Sequence, residues 1–175
     1  MDIKEIQTLI KNIVDKQLRV PVLVVGPTGI GKSGQLKELA KQFKQVDESF
    51  GFVDLRLATQ EVTDLIGIPG TAERTYEYNG KPIVDKVTVW KQPSWFPKKG
   101  TKGILALEEV NRAPEDVRQA IFQLLTEWKL HTHVLPEGWV IVALINPNNG
   151  NYHVNQLDPA FKRRFVQIEM GALVS

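Results

Sequence analysis

Residues Gly26-Pro27-Thr28-Gly29-Ile30-Gly31-Lys32-Ser33 fit the pattern G-x-x-x-x-G-K-[ST], and they stand where that pattern has physical meaning. Before them, Pro21 to Val25 is a continuous apolar run, as in a short strand buried on both faces; after them, a helix is expected from Gly31 or Lys32 to Val46. Glycines in such a turn let backbone N–H groups fold round an anion, and the helix N-terminus turns its partial positive charge on the same point. Gly26 to Gly34 is therefore a candidate phosphate cradle. Within it, Lys32 is the cation for β- and γ-phosphate oxygens, and the Ser33 hydroxyl is a candidate Mg2+ ligand. A glycine-rich loop without function is the competing reading, and the strand-to-helix setting weighs against it.

The apolar patterns along the rest of the chain alternate strands with helices. Asp2 to Leu18 places Ile3, Ile6, Ile10, Ile13 and Val14 three and four residues apart, which predicts an amphipathic helix. Further strands are expected at Phe50 to Ala58, Ile104 to Leu107, Val140 to Leu144 and Phe165 to Ile168, with a helix over Pro114 to Trp128. This alternation predicts an α/β fold in which a parallel sheet is covered on both faces and ligands bind at the carboxyl ends of its strands. Gly67 to Gly100 breaks the rhythm. Its Asn79-Gly80 pair, flanked by Tyr76, Tyr78, Ile83 and Val84, predicts an inserted β-hairpin.

The third strand delivers Glu108 and Glu109 at its carboxyl end. Beside a phosphate cradle, that is where a metal and an attacking water are handled, so Glu108 is the candidate for the Mg2+ shell and Glu109 for polarising the water. Two solvated acids at a strand end are the alternative. The fourth strand runs into Asn146-Pro147, placing an amide beside the acids if the strands are neighbours; Asn146 then bonds the γ-phosphate or the water, or else the pair is an ordinary turn. Before the last strand, Leu157 to Phe165 ends in Arg163 and Arg164. A guanidinium suits phosphate because its planar fork donates twice; the plainer reading is two basic residues complementing a helix C-terminus.

Together these elements resemble the AAA+ ATPases, and within them the MoxR-like and dynein-related branch, from about Val20 to Ile168. Walker A looks like GPTGIGKS, Walker B like ILALEEVNRA, sensor 1 like the Asn of ALINP, and the arginine-finger segment like LDPAFKRRF. The resemblance implies a three-layer P-loop NTPase with five parallel strands in the order 5-1-4-3-2. It implies an enzyme that binds ATP and Mg2+, hydrolyses the γ-phosphate, and couples turnover to remodelling of a macromolecule in a ring, usually hexameric; which macromolecule is not readable from the residues, and a protein is preferred to nucleic acid without nucleic acid being excluded. Arg164 aligns best with the finger, Arg163 stands next to it, and Arg112 of the NRA segment is a further interface candidate. Glu108 replaces the more usual Asp at its position. Gly67 to Gly100 falls where members carry a hairpin insertion, and Gln123 to Trp139 where they carry a pre-sensor hairpin. The family also places a helical lid after the fifth strand, which these 175 residues do not contain.

Composition narrows the rest. With 22 Lys and Arg against 20 Asp and Glu, the formal charge of +2 is too small to argue for a polyanionic partner. The absence of cysteine excludes disulfides and thiolate metal sites. Nothing resembles a signal peptide or an apolar membrane span, which points to a soluble, cytoplasmic protein without a membrane partner. Tyr76, Tyr78, Trp90 and Trp95 suit either a contact surface or packing on their own hairpin. His131 and His133, two apart, are expected on one strand face with no third ligand near. A small-molecule kinase gains little from Glu109, and no Asn-Lys-x-Asp segment for guanine occurs. The reading left beside the hydrolase is a nucleotide-gated assembly or nucleic-acid-binding subunit with little turnover.

Overall fold

A computed structural model of the chain describes residues 3–26, 32–146 and 158–169. Helix α1 (Ile3–Asp15) leads into strand β1 (Val22–Val25), and α2 (Lys32–Val46) follows. Strand β2 (Phe50–Arg56) ends two residues earlier than its apolar pattern predicts, because Leu57 to Thr59 close into a 3₁₀ turn that buries Leu57. A short helix α3 (Val62–Ile66) opens on a capping box between Glu61 and Asp64 and precedes the hairpin of β3 (Ile68–Tyr78) and β4 (Lys81–Lys91). Strand β5 (Lys102–Glu108), helix α4 (Glu115–Glu127), the two-residue strands β6 (Lys129–Leu130) and β7 (His133–Val134), and β8 (Gly138–Ile145) come next. A single helical turn, α5 (Pro159–Lys162), and β9 (Val166–Glu169) complete the described chain.

The main sheet has the order β2-β5-β8-β1-β9 with every pairing parallel. Counted among themselves in chain order, these five strands run 5-1-4-3-2, the order the resemblance implies. Both faces are buried, and side chains divide by the two-residue period of a strand. Leu23, Leu105, Leu107, Ile141 and Ala143 pack with Val117, Ile121 and Leu124 of α4 on one side. Val22, Val24, Ile104, Ala106, Val140 and Val142 pack with Ile6, Ile10 and Ile13 of α1 and Leu36 and Leu39 of α2 on the other. This double burial explains why β1, β5 and β8 read as unbroken apolar runs instead of alternating patterns.

One transverse row needs glycine. Gly51, Gly103 and Trp139 lie side by side on β2, β5 and β8, and a Cβ on Gly103 would collide with the Trp139 ring and the Gly51 carbonyl. The indole lies over the two glycines and donates Nε1–H to the Thr101 hydroxyl at 2.9 Å.

The insertion is the expected hairpin. Its strands pair antiparallel from Ile68 with Lys91 to Tyr78 with Lys81, and Asn79 and Gly80 turn it with φ of 50° and 73°. The aromatic residues part company. Tyr76 and Tyr78 are exposed, whereas the Trp90 ring packs on His131 at 4.4 Å and Trp95 donates Nε1–H to the Asp64 carbonyl at 2.7 Å. The two histidines do not share a strand face, contrary to their spacing: His131 sits in the left-handed turn between β6 and β7, and buried His133 donates Nε2–H to the Ile66 carbonyl at 2.8 Å. Among the described residues, no cluster of three or more His, Cys, Asp or Glu is placed to hold a metal.

Candidate active site at the carboxyl ends of the strands

Three consecutive carbonyls at the end of β8 tie the candidate site together. Leu144 O accepts from the backbone N–H of Glu109 at 3.1 Å, and Ile145 O from that of Gly26 at 3.2 Å. Asn146 O accepts from the Asn111 side chain, Nδ2, at 3.0 Å. The cradle's first glycine, the second acid and the sensor position are thus held to one strand end, as the central place of β8 between β5 and β1 requires.

Residues 27–31 of the cradle, Pro27, Thr28, Gly29, Ile30 and Gly31, and the Lys32 side chain lie outside the described residues. What surrounds them is in place: Gly26 is buried directly after β1, Lys32 opens α2, and Ser33 and Gly34 fall in the first turn of α2. The fifteen-residue α2 carries no acid in its first turn, which leaves its N-terminal partial charge free of competition for an anion.

Glu108 is the last residue of β5, paired in register with Arg56 on one side and Leu144 on the other. Glu109 then takes a left-handed conformation, φ 58° and ψ 41°, which costs an L-residue of the order of 1 to 2 kcal/mol. Such cost is kept where geometry matters more than stability. The Leu144 bond offsets part of it, and a 3₁₀ turn over Val110–Arg112 follows, with Arg112 N–H donating to Glu109 O at 2.9 Å. The Glu109 carboxylate stays partly exposed, 3.9 Å from the Arg112 guanidinium.

Sequence reasoning missed Asp54. It stands on β2, with its carboxyl hydrogen-bonded to that of Glu108. Desolvation of the carboxyl, the Glu108 bond and Glu108 repulsion push its pKa up to about 7, against the weaker opposing pull of Arg56 and Lys37. The one available signal was an acid inside the apolar run FGFVDLRLA. Asn111 was missed as well, read only as part of the NRA segment, although it is a buried polar side chain at 5% exposure.

Arg163 and Arg164 follow α5, which Asp158 caps by accepting from Ala160 N–H at 2.8 Å. Buried Phe161 and Phe165 anchor the segment in the core. Both arginines are exposed, and the Arg164 guanidinium lies over the Phe122 ring of α4, 5.6 Å from its centroid. They stand on the β9 edge of the sheet, across β1 and β8 from the acids of β5.

A glycine-rich sequence joining a parallel strand of the sheet to a helix, with acids at the end of a nearby strand, defines a P-loop nucleotide-binding fold. The chain belongs to the AAA domain family, dynein-related subfamily, which it matches over residues 21–165. It is 27% identical over 179 aligned positions to Midasin from Giardia intestinalis, the match covering 94% of this chain and 3% of that protein's length. Among solved structures it is similar to the RuvB Holliday junction branch migration motor of Thermotoga maritima, with a TM-score of 0.55 at 13% identity over 97% of this chain and 44% of that one. A point mutant of RuvB gives a TM-score of 0.56 at 12% identity over the same shares. The RuvB likeness shows the fold. Among the described residues, no helix is long and apolar enough to cross a membrane.

Proposed function

We propose that this chain is the ATP-hydrolysing large subdomain of a Mg2+-dependent, ring-forming AAA+ ATPase of the MoxR-like kind, which couples turnover to the remodelling of a macromolecule. The observation that carries the proposal is the convergence of Glu109, Gly26 and Asn111 on the successive carbonyls of Leu144, Ile145 and Asn146 at one strand end, because phosphoryl transfer is catalysed by positioning and electrostatics.

In this reading Gly26 to Gly34 hold the phosphates through backbone N–H groups and the α2 N-terminus, with Lys32 neutralising the β- and γ-oxygens. Ser33 and Glu108 hold Mg2+, a small donor set that suits an ion which keeps most of its waters and leans on the substrate phosphates. Mg2+ supplies charge neutralisation on those phosphates. Glu109 orients and polarises the attacking water, Asn146 donates to the γ-phosphate or that water, and Arg164 reaches the nucleotide of the next subunit, with Arg163 beside it; Arg112, next to Glu109, is a separate interface residue. The macromolecule is a protein in our reading, since a formal charge of +2 lacks the footprint of a polyanion binder. The exposed Tyr76 and Tyr78 at the hairpin tip are its proposed contact.

The test is phosphate release with Mg2+ and ATP, read beside the mass of the species in solution. Turnover that rises as a ring assembles supports the proposal. Tight nucleotide binding and assembly without phosphate release would instead make the chain a nucleotide-gated assembly subunit.

A further inference from the structure

We infer that Asn111 is a positioning residue for hydrolysis, which sets the Asn146 amide relative to the Glu109 carboxylate; the inference rests on the reading of Glu109 and Asn146 proposed above. The parallel ladders of β8 end at Leu144 with β5 and at Ile145 with β1. Asn146, the next residue, lies beyond both, and the Asn111 side chain carries the row of bonds one residue further. Asn111 is itself held. It sits in the 3₁₀ turn that Arg112 N–H closes on Glu109 O and Ala113 N–H closes on Val110 O. Glu109 and Asn111 therefore move as one piece, and the 3.0 Å bond transmits the position of that piece to Asn146.

The chemistry asks for such a link. A water polarised by one group and a phosphate or water held by another must meet in line, and a misplacement of about 1 Å costs on the order of 10²-fold in rate. A residue that only filled the core would not need an amide there, because burying one costs free energy unless its hydrogen bonds are made. Asn111 touches no reacting group in this account; it acts through Asn146.

The experiment is a double-mutant cycle on the 175-residue chain with Asn111→Ala and Asn146→Ala, backed by Asn111→Leu, which keeps the branched heavy-atom shape and removes the donor. Asn111→Ala should lower kcat about 10- to 100-fold with nucleotide Kd changed less than about threefold. In that background Asn146→Ala should cost less than about a further twofold, whereas independent residues would multiply their effects. Multiplied effects, or a loss carried by Kd instead of kcat, would overturn the inference. A second readout does not depend on turnover: the Asn146 backbone and side-chain amide signals, identified by their change in Asn146→Ala, should shift in both Asn111 variants. If those signals superimpose on the parent's, Asn111 does not hold Asn146, and the inference fails even where hydrolysis is normal. A parent chain without phosphate release would refute the hydrolase reading instead, and the amide signals would still decide the Asn111 to Asn146 link.

Discussion

The carboxyl of Asp54 is hydrogen-bonded to that of Glu108, although the two stand on neighbouring strands and Asp54 pairs in register with Ala106. Asp54 titrates near 3.8 in an ordinary setting and is pushed up to about 7 here. Between these values the folded chain keeps a proton that the unfolded chain has lost, so the contribution to stability falls as pH rises through this window. Nucleotide-free protein should have a lower denaturation midpoint at pH 8 than at pH 5 from this pair. Asp54→Asn should flatten that slope and be the more stable protein above pH 7; equal slopes in urea titrations of the two proteins would contradict the pairing.

Lys32→Ala should weaken ATP binding about 10- to 100-fold, the worth of a charge-assisted contact to phosphate, while the thermal midpoint without nucleotide hardly moves. Titration with labelled ATP checks this. Unchanged affinity would mean that the cradle has been misread.

Glu109→Gln keeps the shape of the side chain and its neutral hydrogen bonds but loses the base. Turnover should drop by about 10² to 10⁴ with ATP retained on the protein. Glu108→Gln should chiefly weaken the dependence of binding on Mg2+. Swapped phenotypes in single-turnover and Mg2+ titration experiments would reverse the two roles.

Arg164 lies at the β9 edge, its guanidinium over Phe122 and exposed to solvent. As a trans finger it should contribute about 10³ to 10⁵ in rate, so Arg164→Ala should nearly abolish turnover and spare nucleotide binding, with Arg163→Ala as the control. Mixing Arg164→Ala with Glu109→Gln subunits should restore part of the activity. Turnover that is independent of protein concentration and insensitive to Arg164→Ala would exclude the trans role.

Gly67 opens the insertion with φ 82° and ψ −167°, a conformation reserved for glycine, and a Cβ there would collide with the Lys91 carbonyl oxygen. Gly67→Ala should cost about 1 to 3 kcal/mol and loosen the hairpin base. Limited proteolysis should then cut between Gly67 and Gly100 faster than in the parent, while a surface change such as Lys86→Ala should leave the rate unaltered.

The elements were largely legible because each leaves a local imprint. Unbroken apolar runs marked β1, β5 and β8, since both their faces are buried, and Asn79-Gly80 marked a hairpin through the backbone angles it accepts. The end of β2 was less so, because Leu57 is as apolar in its 3₁₀ turn as it would be in the strand. His131 and His133 misled by their spacing, which holds for a continuous strand and fails across the left-handed turn at His131.

The cradle, the two acids, the sensor asparagine and the paired arginines are properties of short segments, so order and spacing along the chain were enough to propose them. Which of these segments touch is a property of strand order and register, and no local pattern encodes it. The meeting of Asp54 with Glu108 arises because β2 and β5 are adjacent and parallel, and that of Asn111 with Asn146 because β8 lies between β5 and β1. In both, the partners are brought together by backbone ladders formed elsewhere in the sheet, which is why composition and periodicity gave no sign of either pair.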